Sequence, residues 1–93
     1  MGWVIKYHKD AKKFLKKLDE DRRNLILSKL DELKEGIQEG VIPFKRLNIR
    51  KLKGKWKGFF RLRVGEFRVI FRIDLSRKVI LVYHIHFRGK VYG

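Results

Sequence analysis

The sequence predicts an α+β domain, a twisted antiparallel sheet of an N-terminal strand plus three C-terminal strands, with two helices packed on one face. Three observations predict it. Apolar residues recur at helical spacing between Asp10 and Ile37, and alternate at strand spacing after Phe59. Turn residues punctuate the second half at Gly65-Glu66 and at Asp74 to Arg77. No repeat, linker or low-complexity run divides the 93 residues, so a single domain over 1–93 is expected.

Trp3 to Tyr7 (WVIKY) is β-branched and aromatic and reads as a short first strand. Asp10 can cap a helix in which Ala11, Phe14, Leu15 and Leu18 share one face, with Lys12, Lys13, Lys16 and Lys17 on the other. Asp19, Glu20 and Asp21 suit a helix start, because anions complement the N-terminal dipole. A second helix is therefore expected to about Glu35, with Ile26, Leu30, Leu33 and Ile37 as its stripe; one long bent helix is the alternative. Gly36, Gly40 and Pro43 end the helical region. Then FFRLRV (59–64) and FRVIFRI (67–73) read as two strands of a tight hairpin across Gly65-Glu66. KVILVYHIHF (78–87) reads as a long last strand.

Charge is the strongest signal. The formal net charge is +15, and it is lopsided. Residues 1–43 hold ten Lys/Arg against eight Asp/Glu, whereas residues 44–93 hold fifteen against two, Glu66 and Asp74. A mixed surface serves solubility; a half that is nearly all positive attracts polyanions, nucleic acid first and an acidic protein second. No segment sets a basic face against a wide apolar face of helical period, so a membrane partner is not expected. There is no cysteine, no span-length apolar run and no signal peptide, and the expected location is the cytoplasm.

Alternation says where the charge points. Phe60, Leu62 and Val64 oppose Arg61 and Arg63, and Phe67, Val69, Phe71 and Ile73 oppose Arg68, Ile70 and Arg72. On the last strand Val79, Leu81, Tyr83, Ile85 and Phe87 oppose Ile80, Val82, His84, His86 and Arg88. With helices on the apolar face, Arg61, Arg63, Arg68, Arg72, His84, His86 and Arg88 are expected together on the open one. Lys51, Lys53, Lys55 and Lys57 make a basic loop around Trp56, and together with Arg72 and His86 they are candidate RNA contacts.

These residue types limit the chemistry. Acids are too few in the basic half to hold a metal, no Gly-rich phosphate loop or serine nucleophile motif is present, and no cofactor is expected. Arginines, histidines and tyrosines suit metal-free RNA cleavage. There the ribose 2′-hydroxyl attacks the adjacent phosphate, and fixed cations stabilise the crowded anionic transition state. A plain RNA-binding protein without turnover fits the same charge pattern.

KLKG (51–54), FRLRVGEFRVIFRID (60–74) and the closing FRGKVY (87–92), an Arg followed four residues later by Tyr, carry a resemblance: through them the chain is similar to the RelE/ParE superfamily of toxins. The resemblance implies a RelE-like fold and the toxin of a type II toxin–antitoxin pair. RelE-type members cleave messenger in the ribosomal decoding site by 2′-hydroxyl attack, which inhibits translation. It implies an acidic, RelB-like antitoxin, with operator DNA bound by the complex through that antitoxin. It assigns catalysis to Arg61, Arg63, Arg68, Arg88 and Tyr92. Some members carry lysines where Arg61 and Arg63 stand, and arginine is a poor proton donor, so the general acid and base stay open. The ParE type, which poisons DNA gyrase without a nuclease site, shares the fold and is the alternative.

Overall fold

Polar side chains that meet unpaired backbone N–H groups decide where the helices begin. The computed structural model describes residues 2–88. Strand β1 (Val4–Tyr7) leads into helix α1 (Lys9–Lys17), and α2 (Glu20–Gln38) follows after two residues. His8 caps α1, its Nδ1 accepting the Asp10 N–H at 3.3 Å. The expected cap, Asp10, lies instead in the first turn, where its charge favours the helix dipole. Leu18 and Asp19 are both extended (ψ 151 and 163), and Asp19 accepts the Arg22 N–H, so there are two helices and not one bent one. Arg23 ties the corner: its Nη1 donates to the Leu15 and Leu18 carbonyls at 3.3 and 3.0 Å, the first of which also accepts the Leu18 N–H.

Helix α2 runs three residues past the expected end. Gly36 lies inside it, and the stop is built around Gly40 at φ +87. The Val41 N–H donates to the Gly36 carbonyl and the Gly40 N–H to the Ile37 carbonyl, both at 2.9 Å, the crossed pair of a Schellman ending. A Cβ at Gly40 would meet nothing within 4 Å, so only its backbone angle resists a side chain. Gly40→Ala is expected to destabilise the fold by about 1–2 kcal/mol. A urea titration should show a lower midpoint at an unchanged slope, and an unmoved midpoint would contradict that ending.

The sheet has five strands in the order β1-β5-β4-β3-β2, where β2 is Ile49–Lys51, β3 Phe60–Val64, β4 Phe67–Asp74 and β5 Val79–Phe87. Strands β2 to β5 pair antiparallel, and β3–β4 closes with Val64 opposite Phe67 across the expected two-residue turn. Gly65 there takes φ +57 and Glu66 does not go positive, the pattern of a turn whose first central residue must be glycine.

Three details differ from expectation. The pairing of β1 with β5 is parallel, so the sheet is mixed, because the two helices carry the chain across the sheet before the remaining strands are laid down. A fifth strand, β2, lies at the far edge; three residues are too few to announce themselves by period. Last, the β4–β5 register slips between Ile70 and Phe71: Ile70 opposes His84 and Phe71 opposes Val82. Tyr83 is thus a bulge, and the alternation of β5 flips there. Ile80 and Val82 join Ile85 in the core, where Leu81 and Tyr83 were expected to be.

Both helices pack on one face of the sheet, as the fold class requires. Ala11 and Leu15 of α1 and Ile26, Leu30, Leu33 and Ile37 of α2 meet Leu62, Val64, Phe67, Val69, Phe71, Ile80, Val82 and Ile85. Leu25, beside the α2 stripe, remains exposed. No helix among the described residues is long and apolar enough to cross a membrane.

Candidate nucleic-acid interface

The face of the sheet away from the helices carries the charge, and the strand register orders it in rows. Arg63 lies opposite Arg68, which lies opposite His86. In the next row Arg50 lies opposite Arg61, then come Ile70 and His84. Like charges directly across a strand pair repel, and here two such pairs stand in successive rows. Among the described residues no ion pair reaches Arg50, Arg61, Arg63 or Arg68; the pairs present fall near the helices and in the Asp74 turn.

Arg61 is the centre of this arrangement. Burial, and then repulsion from Arg68, Arg50, Arg63 and Arg88, hold its guanidinium below the usual arginine range, though an arginine stays cationic there. The Nε atoms of Arg61 and Arg68 are buried without a hydrogen-bond partner among the described residues. A buried donor left unpaired costs about 1–3 kcal/mol, and one on a cation costs more. Such a cost is met when an anion enters. The arrangement can therefore bind a phosphate from several sides, with planar forks that each take two oxygens.

The two histidines flank the cluster with ring centroids 4.2 Å apart, edge to face. Burial, then His84, then Arg68 push the His86 imidazole below its ordinary value. That shift favours the neutral ring, the form able to accept a proton.

The profile of the family described as "ParE toxin of type II toxin-antitoxin system, parDE" matches residues 5–92. The chain belongs to the RelE/ParE superfamily of type II toxins. The toxin is 30% identical over 92 residues to the RelE1 protein of Methanocaldococcus jannaschii, covering 99% of this chain and 97% of that one. It is similar to the archaeal RelE of the RelE–RelB complex from Pyrococcus horikoshii, at 28% identity and a TM-score of 0.77, over 98% of this chain and 100% of that one. The isolated RelE toxin of E. coli, 19% identical, shares the fold at a TM-score of 0.72, over 97% of this chain and 90% of that one.

Within the toxin, the expected residues divide into two groups. Arg61, Arg63 and Arg68 gather with His84 and His86, and Arg88 is near enough to repel Arg61. Arg88 also donates its backbone N–H to the Glu66 carbonyl at 2.7 Å, which ties the end of β5 to the hairpin turn. Tyr92 lies outside the described residues. Arg72 sits four residues further along β4, over the Phe59 ring, and Lys53, Lys55 and Lys57 are exposed around a short 3₁₀ turn (Gly54–Trp56) whose Trp56 meets Phe59. Lys51 alternates with Arg50 and so turns toward the helix side of the edge strand. Sequence reasoning overlooked Arg50. Its signal was the alternation of buried Leu47 and Ile49 with exposed Asn48 and Arg50.

Proposed function

We propose that the toxin is a metal-free, ribosome-dependent messenger-RNA endoribonuclease that inhibits translation. The observation that carries this reading is the pair of buried, unpartnered guanidinium nitrogens, Arg61 Nε and Arg68 Nε, within a crowd of like charge. A polyanion satisfies all of these groups at once, and a scissile phosphate gains a further unit of charge as the reaction proceeds. Arg61, Arg63, Arg68 and Arg88 bind that phosphate and stabilise the transition state. The ribose 2′-oxygen bonds to phosphorus, the bond to the 5′-oxygen breaks, and a 2′,3′-cyclic phosphate and a 5′-hydroxyl result. A proton leaves the 2′-hydroxyl and one reaches the 5′-oxygen; His86 and Tyr92 are the groups suited to those transfers. The ribosome supplies the messenger in a fixed conformation, which is the orientation that in-line attack needs.

The P. horikoshii relative is a RelE–RelB complex, which supports a RelB-like antitoxin as partner for this toxin. An acidic antitoxin neutralises the arginine face by occupying it, and in complex carries the toxin to operator DNA. The matched family bears the ParE name, which favours a second reading: a gyrase poison with the same fold.

One experiment separates them. Purified toxin added to a translating extract is expected to leave discrete messenger ends inside the decoding site, read by primer extension. No new ends, together with inhibited gyrase supercoiling, would transfer the toxin to the second reading.

A further inference from the structure

Four aromatic side chains from separate stretches of the chain meet at the Arg72 end of the structure. His8, from the β1–α1 junction, lies 5.1 Å from the Tyr83 ring centroid. Trp56, from the 3₁₀ turn, lies 5.7 Å from Tyr83 and 5.2 Å from Phe59, and Phe59 lies 5.4 Å from Tyr83. The Arg72 guanidinium stands 5.8 Å from the Phe59 centroid. These rings are not part of the helix-covered core. Trp56 is 38% exposed and Tyr83 36%, although each is large enough to reward burial.

The bulge is what brings Tyr83 here. Strict alternation would set it beside Ile85, against the helices; the extra residue releases it to Trp56 and Phe59. A ladder irregularity and an exposed tryptophan both work against stability, so the cluster is not explained by packing alone. Its surroundings are cationic: Trp56 is flanked in the chain by the exposed Lys55 and Lys57, and Arg72 stands over Phe59. Aromatic rings set among lysines and arginines accept the bases of a single strand, whose phosphates the cations neutralise.

We infer that Trp56, Phe59 and Tyr83 form a stacking platform for an unpaired base of the same RNA strand whose phosphate the Arg61 cluster binds. This rests on the reading of the toxin as an RNA-cleaving protein. Arg68 and Arg72 are four residues apart on β4, about 13 Å at the rise of a strand. A strand that touches both sites is therefore several nucleotides long, and a dinucleotide reaches only one.

The test uses the Trp3→Phe toxin, in which Trp56 is the sole indole, and single-stranded RNA hexamers at low salt. Binding of the hexamer is expected to quench Trp56 fluorescence, and a hexamer with its bases removed should bind about tenfold more weakly without quenching. Trp56→Leu should weaken the normal hexamer by about the same factor, leave the dinucleotide unchanged and have no effect on the abasic strand. Trp56→Tyr should restore most of the affinity. Equal affinity for the normal and abasic hexamers, with no quenching, overturns the platform, and it does so on protein whose packing is intact. If hexamer binding is also indifferent to a combined Arg61→Met and Arg68→Met change, the underlying reading falls too. Quenching by an acidic peptide but not by RNA would likewise overturn the platform and give the surface to a protein partner.

Discussion

Arg61→Met is expected to slow single-turnover cleavage of ribosome-held messenger about 10²–10³-fold and at the same time to make the toxin more stable. The two effects have one origin. Arg61 stands opposite Arg50 and is repelled by Arg68, Arg63 and Arg88, with its Nε buried and unpaired. Methionine retains the aliphatic stem that packs beside Ile70 and removes the charge, so the folded state should gain about 0.5–1 kcal/mol. Saturated ribosomes isolate the chemical step from affinity, because binding is spread over many other cations. Cleavage at the parental rate would make Arg61 a docking contact only. A lower melting temperature would show that the charge of Arg61 is compensated within the fold, although among the described residues no ion pair reaches Arg50, Arg61, Arg63 or Arg68.

Phe71→Ala is expected to destabilise the toxin by about 3–5 kcal/mol, a large share of what a domain of this size possesses. Phe71 is fully buried, stacks on Phe60 at 5.4 Å with the rings 17° from parallel, and opposes Val82 just beyond the bulge. Truncation leaves a void that the sheet cannot close, because β4 is paired on both sides. Chemical denaturation should show the loss, and Phe71→Leu should recover much of it. If Phe71→Ala unfolds within about 1 kcal/mol of the parent, where emptying a buried Phe site costs about threefold more, the β4–β5 register given above is incorrect.

What was legible in the sequence was whatever a simple period could report. Ile26, Leu30, Leu33 and Ile37 lie where their helical spacing places them, and Arg61, Arg63 and Arg68 share a face because a two-residue hairpin leaves no room for slippage. The direction of β1 was not legible, since alternation is the same read either way along a strand. Nor was the bulge at Tyr83: KVILVYHIHF is apolar at so many positions that a shift of face leaves no trace in it. The missed β2 had a direct consequence for the site, because it hid Arg50, the residue opposite Arg61.

The parallel join between β1 and β5 has a consequence for the order of folding. Residues 4–7 pair with residues 79–82, so two neighbouring strands of the sheet are separated by most of this sequence. Contacts of such sequence separation form slowly, since the entropy of closing nearly the whole chain must be overcome before they contribute. Until β5 is in place, β1 has no strand neighbour and Arg68 has no histidine across from it. The row that runs from Arg63 through Arg68 to His86 is thus complete only once β5 is laid against β4, whatever the order in which the other strands form.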